Sequence, residues 1–285
     1  MKIAVASGKG GTGKTLISTN LARVALQQGS VALFDLDVEE PNAHLFFSEV
    51  EQKSEPVEKM IPVVDDSICE LSGVCSKVCE YHAIITLANQ VMVFPELCHS
   101  CYGCLEMCPS KAISEGKKQI GMIKHGAKDH LQLISGLLKV GESATTALIR
   151  DVKKFPIQKS DLQIYDAPPG TSCPVIETVK DLDYVILVGE PTPFGLHDLN
   201  LLVQVLQEIG QPFGVVVNKA VTGNDRIEQY CAEKGLEILA RIPLRSDIAG
   251  AYAKGQLVSE VLPDVKQIFQ ELLETVTRKV NGAVA

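Results

Sequence analysis

Cysteine is the residue type whose distribution in this chain points most clearly to chemistry. Seven of the nine cysteines lie between Cys69 and Cys108, in a chain of 285 residues. In a chain whose thiols stay reduced, such a cluster indicates metal or redox chemistry rather than disulfides. We therefore predict a metal or redox site within this short segment.

The second half of the segment has the spacing Cys98-x2-Cys101-x2-Cys104-x3-Cys108 and is followed by Pro109. This spacing is similar to the run of bacterial ferredoxins, in which three thiolates bind one [4Fe–4S] cluster and the fourth reaches a second cluster. A zinc ribbon is the main alternative, but it usually pairs two CxxC knuckles at wider separation, without the trailing cysteine and proline. The run thus favours an iron–sulfur cluster.

An internal repeat with a constant offset connects this run to the segment before it. The first half-unit contains Cys69, Ser72, Cys75, Cys79, Ala83 and Ile84, and the matching positions of the second are Cys98, Cys101, Cys104, Cys108, Ala112 and Ile113. Two related half-units are therefore predicted.

Crossed ligation of the two half-units assigns two cluster sites. The complete site, expected to hold a [4Fe–4S] cluster, takes as ligands Cys79, Cys98, Cys101 and Cys104. The altered site takes Cys69, Cys75 and Cys108, with Ser72 in the fourth position. A hydroxyl is a poorer ligand than a thiolate for a soft metal. We expect the altered site to hold either a [4Fe–4S] cluster, ligated by the serine alkoxide or with an exchangeable fourth iron, or a [3Fe–4S] cluster.

A glycine-rich segment near the start of the chain indicates a second chemistry. Residues 8–15, GKGGTGKT, satisfy the P-loop pattern and lie between a predicted strand and a predicted helix. Backbone N–H groups of such a loop bind phosphate, while Lys14 neutralises the β- and γ-phosphates and Thr15 holds Mg²⁺. The predicted ATP-binding residues of the loop are Gly8, Lys9, Gly10, Gly11, Thr12, Gly13, Lys14 and Thr15.

Aspartates end two of the predicted strands. Asp35 and Asp37 share one strand face because strand side chains alternate, and Asp166 ends the strand LQIYD. Open α/β sheets bind their ligands at the carboxyl ends of the strands. A helix cap or turn is the ordinary alternative for any single aspartate.

Strands and helices alternate through most of the chain. The predicted strands cover 3–6, 31–37, 162–166, 184–188 and 213–218, and the predicted helices 14–28, 143–154, 195–209, 225–234 and 264–280. Such alternation predicts an α/β fold with a mostly parallel sheet and helices on both faces. The pattern breaks between residues 62 and 118. We therefore expect a P-loop domain formed by 1–61 and 119–285, with 62–118 as an inserted small α+β domain of the bacterial ferredoxin type.

Composition narrows the possible partners. The net charge is −8 and no block of lysine or arginine occurs, which argues against nucleic-acid binding. No window approaches the roughly 18 apolar residues of a membrane span, and the first residues lack the regions of a signal peptide. We expect a cytoplasmic protein without stable membrane association.

The loop also carries an early lysine, Lys9, in the sequence KGGTGKT. Together with DLDVEEPNAH, DAPPGTSCP, EPTPFGLHDL and the cysteine segment, it resembles the deviant Walker A ATPases of the MinD superfamily that contain an inserted ferredoxin domain. Relatives in the wider superfamily include the Mrp-type iron–sulfur carriers and the nitrogenase iron protein. The resemblance covers nearly the whole chain.

This resemblance implies roles for individual residues. Lys9 is expected to cross a nucleotide-dependent homodimer to the ATP of the partner subunit, and it would act with Lys14 and Asp37 in catalysis. Asp37 would orient the attacking water, and Asp166 would hold Mg²⁺ beside Thr15.

The resemblance also implies adenine contacts from Asn218 and Pro243, although Arg245 stands where relatives often have an acidic residue. The expected function is an ATPase that couples nucleotide state and dimerisation to electron transfer or cluster chemistry with a redox or iron–sulfur partner protein. The alternative is a cluster assembly or carrier ATPase. A membrane-positioning ATPase using the terminal helix and an amidotransferase-like ligase are further alternatives.

Overall fold

The structure is a computed structural model, and it describes residues 1–282. The chain forms two compact units. The first contains Met1–Ser54, Ile123–Leu137 and the residues from Ile149 onward, and the second contains Glu55–Met122 and Leu138–Leu148. The second unit thus includes all of the predicted insert, 62–118, and extends beyond both of its ends.

The strands are β1 (Lys2–Ala6), β2 (Val31–Asp35), β3 (Lys53–Val64), β4 (Ile84–Thr86), β5 (Val91–Val93), β6 (Ile113–Lys128), β7 (Leu131–Leu138), β8 (Leu162–Asp166), β9 (Tyr184–Gly189), β10 (Phe213–Ala220) and β11 (Ile238–Pro243). The helices are α1 (Lys14–Ala25), α2 (Val74–Val78), α3 (Gly103–Glu106), α4 (Thr145–Lys153), α5 (Cys173–Val179), α6 (Pro193–Glu208), α7 (Arg226–Lys234), α8 (Ser246–Ala253), α9 (Val258–Val261) and α10 (Pro263–Gly282). Two 3₁₀ helices cover Ala43–Phe46 and Pro95–Leu97.

The main sheet has the strand order β11-β10-β9-β1-β8-β2-β7-β6-β3. Pairing is parallel at every step from β11 to β7. The prediction of a mostly parallel α/β sheet is therefore confirmed. Strands β4 and β5 form a separate antiparallel pair.

The register of the central strands positions the functional residues. Asp35 at the end of β2 lies directly beside Asp166 at the end of β8, and Val5 in β1 lies on the other side of Asp166. These three strands therefore end together, at the same edge from which the glycine-rich loop leaves β1. Parallel sheets bind ligands at this edge.

The core of the first unit forms because its central strands are apolar on both faces. Residues Ile3–Ala6 of β1 are completely buried, as a strand covered by helices on both sides requires. The apolar stripe of α10, which includes Phe269, Leu272 and Val276, is also completely buried and belongs to the same hydrophobic cluster. Packing within the fold therefore accounts for the amphipathic character of this helix.

Several differences from the sequence analysis concern element bounds. Helix α1 ends at Ala25 rather than at 28, because the glutamines that follow form turn hydrogen bonds to the carbonyls three residues earlier. Strand β2 ends at Asp35, so Asp37 lies just beyond the strand rather than within it. The long strands β3 and β6 were not predicted. Across residues 1–282, we find no helix with the length and apolar character that a membrane span requires.

Candidate functional site

The glycine-rich loop joins β1 to α1 and has the conformation of a phosphate-binding turn. Gly11 and Gly13 have φ values of 75° and 98°, in the left-handed region that favours glycine. A Cβ added at Gly10 or Gly11 would meet no atom of residues 1–282 within 4 Å. The loop therefore borders open space at the N-terminus of a 12-residue helix, where backbone amides bind anions.

Two side chains from the end of β10 hold this loop in place. Asn218 is buried and donates from Nδ2 to the carbonyl of Thr12 at 2.6 Å. Lys219 donates from Nζ to the carbonyl of Gly11 at 2.8 Å. The amide nitrogen of Asn218, predicted to contact adenine, is therefore engaged by the loop backbone. Sequence analysis missed Lys219, although it directly follows that asparagine.

Asp166 is fully buried at the end of β8, and neither of its carboxylate oxygens accepts a hydrogen bond from the described residues. Burial raises the pKa of Asp166, and this effect is opposed by the nearby Thr15 hydroxyl and by the charge of Lys14. A buried carboxylate without a partner is costly unless a cation or water satisfies it. Asp166 and Thr15 therefore form an oxygen donor set that fits hydrated Mg²⁺.

Lys14 and the remaining acidic residues complete this buried group. Burial lowers the pKa of Lys14, while the charges of Asp166, Asp37 and Asp35 oppose that shift. Burial raises the pKa of Asp37, and the charge of Lys14 opposes it. The structure thus brings together Lys14, Asp37 and Asp166.

Asp35 bonds to the backbone of the loop that follows β2. Its Oδ2 accepts backbone N–H groups from Asn42 and Ala43, each at 2.8 Å. These bonds fix the segment that follows β2, at the start of the 3₁₀ helix Ala43–Phe46. Asp35 therefore shapes the loop from which Asp37 faces the phosphate site.

Lys9 is held by its own chain in this structure. Its Nζ pairs with Oε1 of Glu190, and Lys219 pairs with the other oxygen of the same carboxylate at 3.0 Å. Burial alone would raise the pKa of Glu190, but the two lysines lower it overall. Glu190 thus connects Lys9 to Lys219, which supports the loop. Glu190 is the first residue of the segment EPTPFGLHDL, and its contact with both lysines was not predicted from the sequence.

The adenine-side predictions fall at the carboxyl edge of the neighbouring strands. Pro243 ends β11 and pairs with Ala220 of β10. Arg245 bonds to both oxygens of Asp247 and also to Asp264. The charge of Arg245 is therefore already neutralised within the chain.

The repeat in the second unit is visible in the backbone. Helices α2 and α3 begin at Val74 and Gly103, which are separated by the same offset as the paired cysteines. Left-handed residues recur at that offset, in the pairs Leu71 and Ser100 (φ 54° and 55°), Gly73 and Tyr102 (74° and 63°), and His82 and Lys111 (51° and 53°). The two half-units therefore share one local fold.

Hydrogen bonds between the half-units follow the same repeat. Phe94 donates its N–H to Ala83 at 2.7 Å, and Asp65 donates to Ala112 at 2.8 Å. The two donors are separated by the offset of the repeat, and so are the two acceptors. The segment from Asp65 to Ala112 is therefore a duplicated structure, consistent with the repeat counted in the sequence.

Two small cavities in the second unit are lined by the predicted ligand positions. One is bordered by Cys79, Cys98, Cys101 and Cys104, together with the ring pair of Tyr81 and His99, whose centroids are 3.6 Å apart. The other is bordered by Cys69, Ser72, Cys75 and Cys108. The structure thus groups the side chains in the two sets that crossed ligation predicts.

Two sulfur atoms of the first of these cavities accept backbone N–H groups, which favours their thiolate form. Cys79 Sγ accepts the N–H of Ala83 at 3.2 Å, and Cys98 Sγ accepts that of Ser100 at 3.4 Å. Within residues 1–282, no three His, Cys, Asp or Glu side chains converge as a single metal ion would need. The cysteines surround cavities instead, and soft donors with N–H support fit an iron–sulfur cluster.

Two cysteines lie apart from these cavities. Cys173 is exposed at the first residue of α5, and Cys231 is buried in the first unit. All nine cysteines are free thiols. Burial raises the pKa of Cys231 to about 11, which fits the packing role of a buried free cysteine.

Several related proteins match nearly the whole chain. An uncharacterized protein of Methanocaldococcus jannaschii is 33% identical, covering 96% of this chain and 97% of its own length. The NUBP1 homolog of Caenorhabditis elegans, a cytosolic Fe-S cluster assembly factor, is 27% identical, covering 98% and 81%. An iron-sulfur cluster carrier protein of M. jannaschii is 23% identical, covering 99% and 85%.

A solved structure supports the fold. The septum site-determining protein MinD of Pyrococcus horikoshii OT3, complexed with Mg-ADP, has a TM-score of 0.59 at 20% identity, covering 96% of this chain and 95% of that one. The sequence family described as the CobQ/CobB/MinD/ParA nucleotide binding domain matches residues 3–258. This match includes the whole P-loop and nearly all of the main sheet, and the chain therefore belongs to the CobQ/CobB/MinD/ParA nucleotide-binding family.

Proposed function

We propose that this protein is an ATP-hydrolysing iron–sulfur protein that assembles or carries clusters for partner proteins. The observation that carries the proposal is the grouping of seven cysteines and Ser72 around two cavities, in a chain that also contains a P-loop. Relatives named as an Fe-S cluster assembly factor and a cluster carrier support this assignment over a purely redox one.

The nucleotide half of the proposal rests on the buried group around Lys14. The loop amides and Lys14 bind the phosphates of ATP, while Thr15 and Asp166 hold Mg²⁺, which neutralises charge on the transferred phosphoryl group. Asp37 orients the attacking water. Lys9 leaves Glu190 and reaches the nucleotide of the partner subunit in a homodimer formed with ATP.

The cluster half rests on the two cavities. The complete cavity offers four thiolates, two of which accept backbone N–H bonds, and is assigned a [4Fe–4S] cluster. The altered cavity offers three thiolates and Ser72 and is assigned a [4Fe–4S] or [3Fe–4S] cluster. A carrier must release a cluster to its client, and the weaker ligand set of the altered cavity suits release better than four thiolates do.

Electron transfer is the second candidate function, and one observation favours it. The complete cavity has the full ligand set of a bacterial ferredoxin, and the exposed Tyr81 and His99 ring pair lines it. Clusters ligated by four cysteines are held firmly and suit electron transfer. In this version, nucleotide state would control reduction of the cluster or docking of a redox partner.

A single anaerobic preparation distinguishes the two functions. Reconstituted protein is incubated with an apo-ferredoxin acceptor, with and without Mg-ATP, and cluster transfer is followed by circular dichroism. The carrier function predicts transfer whose rate changes at least severalfold with ATP, and no such change in Lys14→Ala. A Lys234→Ala variant, altered at an exposed lysine of α7, serves as the control. Absence of transfer, combined with ATP-dependent reduction by dithionite, would favour the redox function instead.

A further inference from the structure

The altered cavity differs from the complete one at a single corner. Ser72 occupies the position in its half-unit that Cys101 occupies in the other. Both residues lie between two left-handed residues, and the φ values of these neighbours are similar in the two half-units. Ser72 also borders its cavity, as Cys101 does. The serine therefore occupies the position equivalent to that of Cys101, a predicted cluster ligand.

Solvent access does not distinguish the two corners. Ser72 and Cys101 are both exposed, whereas Cys75 and Cys104, one helical turn later in each half-unit, are both buried. Each cavity thus has an inner thiol and an outer corner that water can reach. The difference at the outer corner is the ligating atom, oxygen in one cavity and sulfur in the other.

Hydroxyl groups also contact two of the three thiols in the altered cavity. Thr86 Oγ1 lies 3.5 Å from Cys75 Sγ, and Ser110 Oγ lies 3.8 Å from Cys108 Sγ. The residues at the equivalent positions of the other half-unit, Glu115 and Tyr81, have no hydroxyl on the β-carbon. The altered cavity therefore has two thiol–hydroxyl contacts at positions where the other half-unit has no such hydroxyl, whereas in the complete cavity Cys98 Sγ contacts the carbonyl of Met60 at 3.7 Å.

We propose that the Ser72 corner is an exchangeable iron position. Cys69, Cys75 and Cys108 anchor three irons, and the fourth iron is bound through oxygen at the exposed corner. This inference rests on the proposed function only in requiring that the cavities hold clusters.

Loss of the corner iron needs no oxidant. A [4Fe–4S]²⁺ cluster releases Fe²⁺ and leaves [3Fe–4S]⁰, while the Ser72 oxygen, if it was ligated as alkoxide, takes a proton from solvent. Ferricyanide then removes one electron to give [3Fe–4S]⁺, which is paramagnetic. Return of Fe²⁺ to the reduced three-iron form reverses the first step.

Iron counting on matched variants tests the inference. Wild type, Ser72→Cys and Cys101→Ser are reconstituted anaerobically, treated with ferricyanide and EDTA, and desalted. Wild type is expected to retain about one iron per chain fewer than Ser72→Cys and to show the electron paramagnetic resonance signal of a three-iron cluster. Cys101→Ser copies the serine corner into the other cavity and is expected to retain about two irons fewer than Ser72→Cys.

Several outcomes would overturn the inference while leaving the proposed function intact. These are equal iron in wild type and Ser72→Cys, a wild type without the three-iron signal, or a Cys101→Ser variant with as much iron as wild type. Far-ultraviolet circular dichroism before treatment identifies any variant that fails to fold. Comparison of wild type with the other variant then still tests the inference. Failure of all three proteins to acquire iron and sulfide would instead contradict the proposed function itself.

Discussion

At the residue scale, the P-loop is held by side chains that lie outside its sequence motif. Lys219 and Glu190 come from β10 and from the end of β9, far from the loop in sequence, yet they contact Gly11 and Lys9. The motif itself, and the aspartates at strand ends, were predictable because their chemistry is local. Lys219 and Glu190 were not, because their partners are set by tertiary structure alone.

Lys219 gives the first prediction. Replacing it with alanine removes the bond to the Gly11 carbonyl. Lysine and alanine both carry a Cβ, so the substitution does not change the steric cost of the left-handed backbone at this residue. The side chain is 43% exposed, so the loss is modest, about 1 kcal/mol, or roughly fivefold weaker ATP binding. Calorimetric titration with Mg-ATP measures it. An affinity equal to that of Lys234→Ala would show that Lys219 does not support the loop.

Asp166 gives the second prediction. Asp166→Asn keeps the shape of the side chain and removes the charge that faces the proposed Mg²⁺. We expect ATP hydrolysis to fall by about 10²-fold or more, and the increase in Tm on adding Mg-ATP to disappear. Asp129→Asn, at an exposed left-handed turn residue, is the control. Normal Mg²⁺-dependent stabilisation of Asp166→Asn would show that this residue does not help to bind Mg²⁺.

At the scale of elements, the central sheet was predictable and its edge was not. Strands β1, β2, β8, β9 and β10 are apolar runs buried on both faces, and each was predicted. Strand β3 contains Pro56 and Pro62 among charged residues, and β6 contains three glycines. Such patterns indicate loops, and only pairing with neighbouring strands makes these segments extended.

The contact between the loop and α6 gives the third prediction. A Cβ at Gly8 would lie 2.2 Å from the backbone oxygen of Asp198, which cannot move without displacing the helix. Gly8→Ala is expected to cost about 1–3 kcal/mol of stability and to lower Tm. Gly10→Ala places its Cβ in open space, so it should retain the wild-type Tm. Its Cβ would enter the region proposed for phosphate, so ATP binding should weaken.

Thermal unfolding with and without ATP separates the two variants. Equal Tm values for Gly8→Ala and wild type would contradict the tight packing of the loop on α6. A Gly10→Ala variant with normal ATP affinity would mean that the phosphate lies elsewhere.

At the scale of the whole molecule, two units share one chain. The sequence analysis predicted an insert by the break in strand–helix alternation and by the cysteine repeat. It did not predict that Leu138–Leu148 belongs with the second unit. The reason is visible in the ion pairs, since Glu142 from this segment is buried between Lys59 and Lys118. Contacts between distant parts of the chain determine such a boundary.

Assembly gives the fourth prediction. If Lys9 acts across a homodimer, Lys9→Ala should bind ATP but fail to dimerise with it, because within its own chain the lysine ammonium pairs with Glu190 rather than with the phosphate loop. Lys14→Ala should lose both ATP binding and dimerisation. Light scattering with Mg-ATP measures the mass of each. A Lys9→Ala protein that dimerises as wild type does would show that Lys9 is not needed across the dimer interface.

The presence of clusters in the two cavities is measured most directly by iron and acid-labile sulfide per chain after anaerobic reconstitution. We predict about seven or eight irons in wild type, a loss of about one to four in Cys79→Ser, and no loss in Cys173→Ser. Crossed ligation requires Cys79 to serve the same cavity as Cys98, whereas Cys173 borders neither cavity. Zinc in place of iron, or equal iron in the Cys79 and Cys173 variants, would contradict the account.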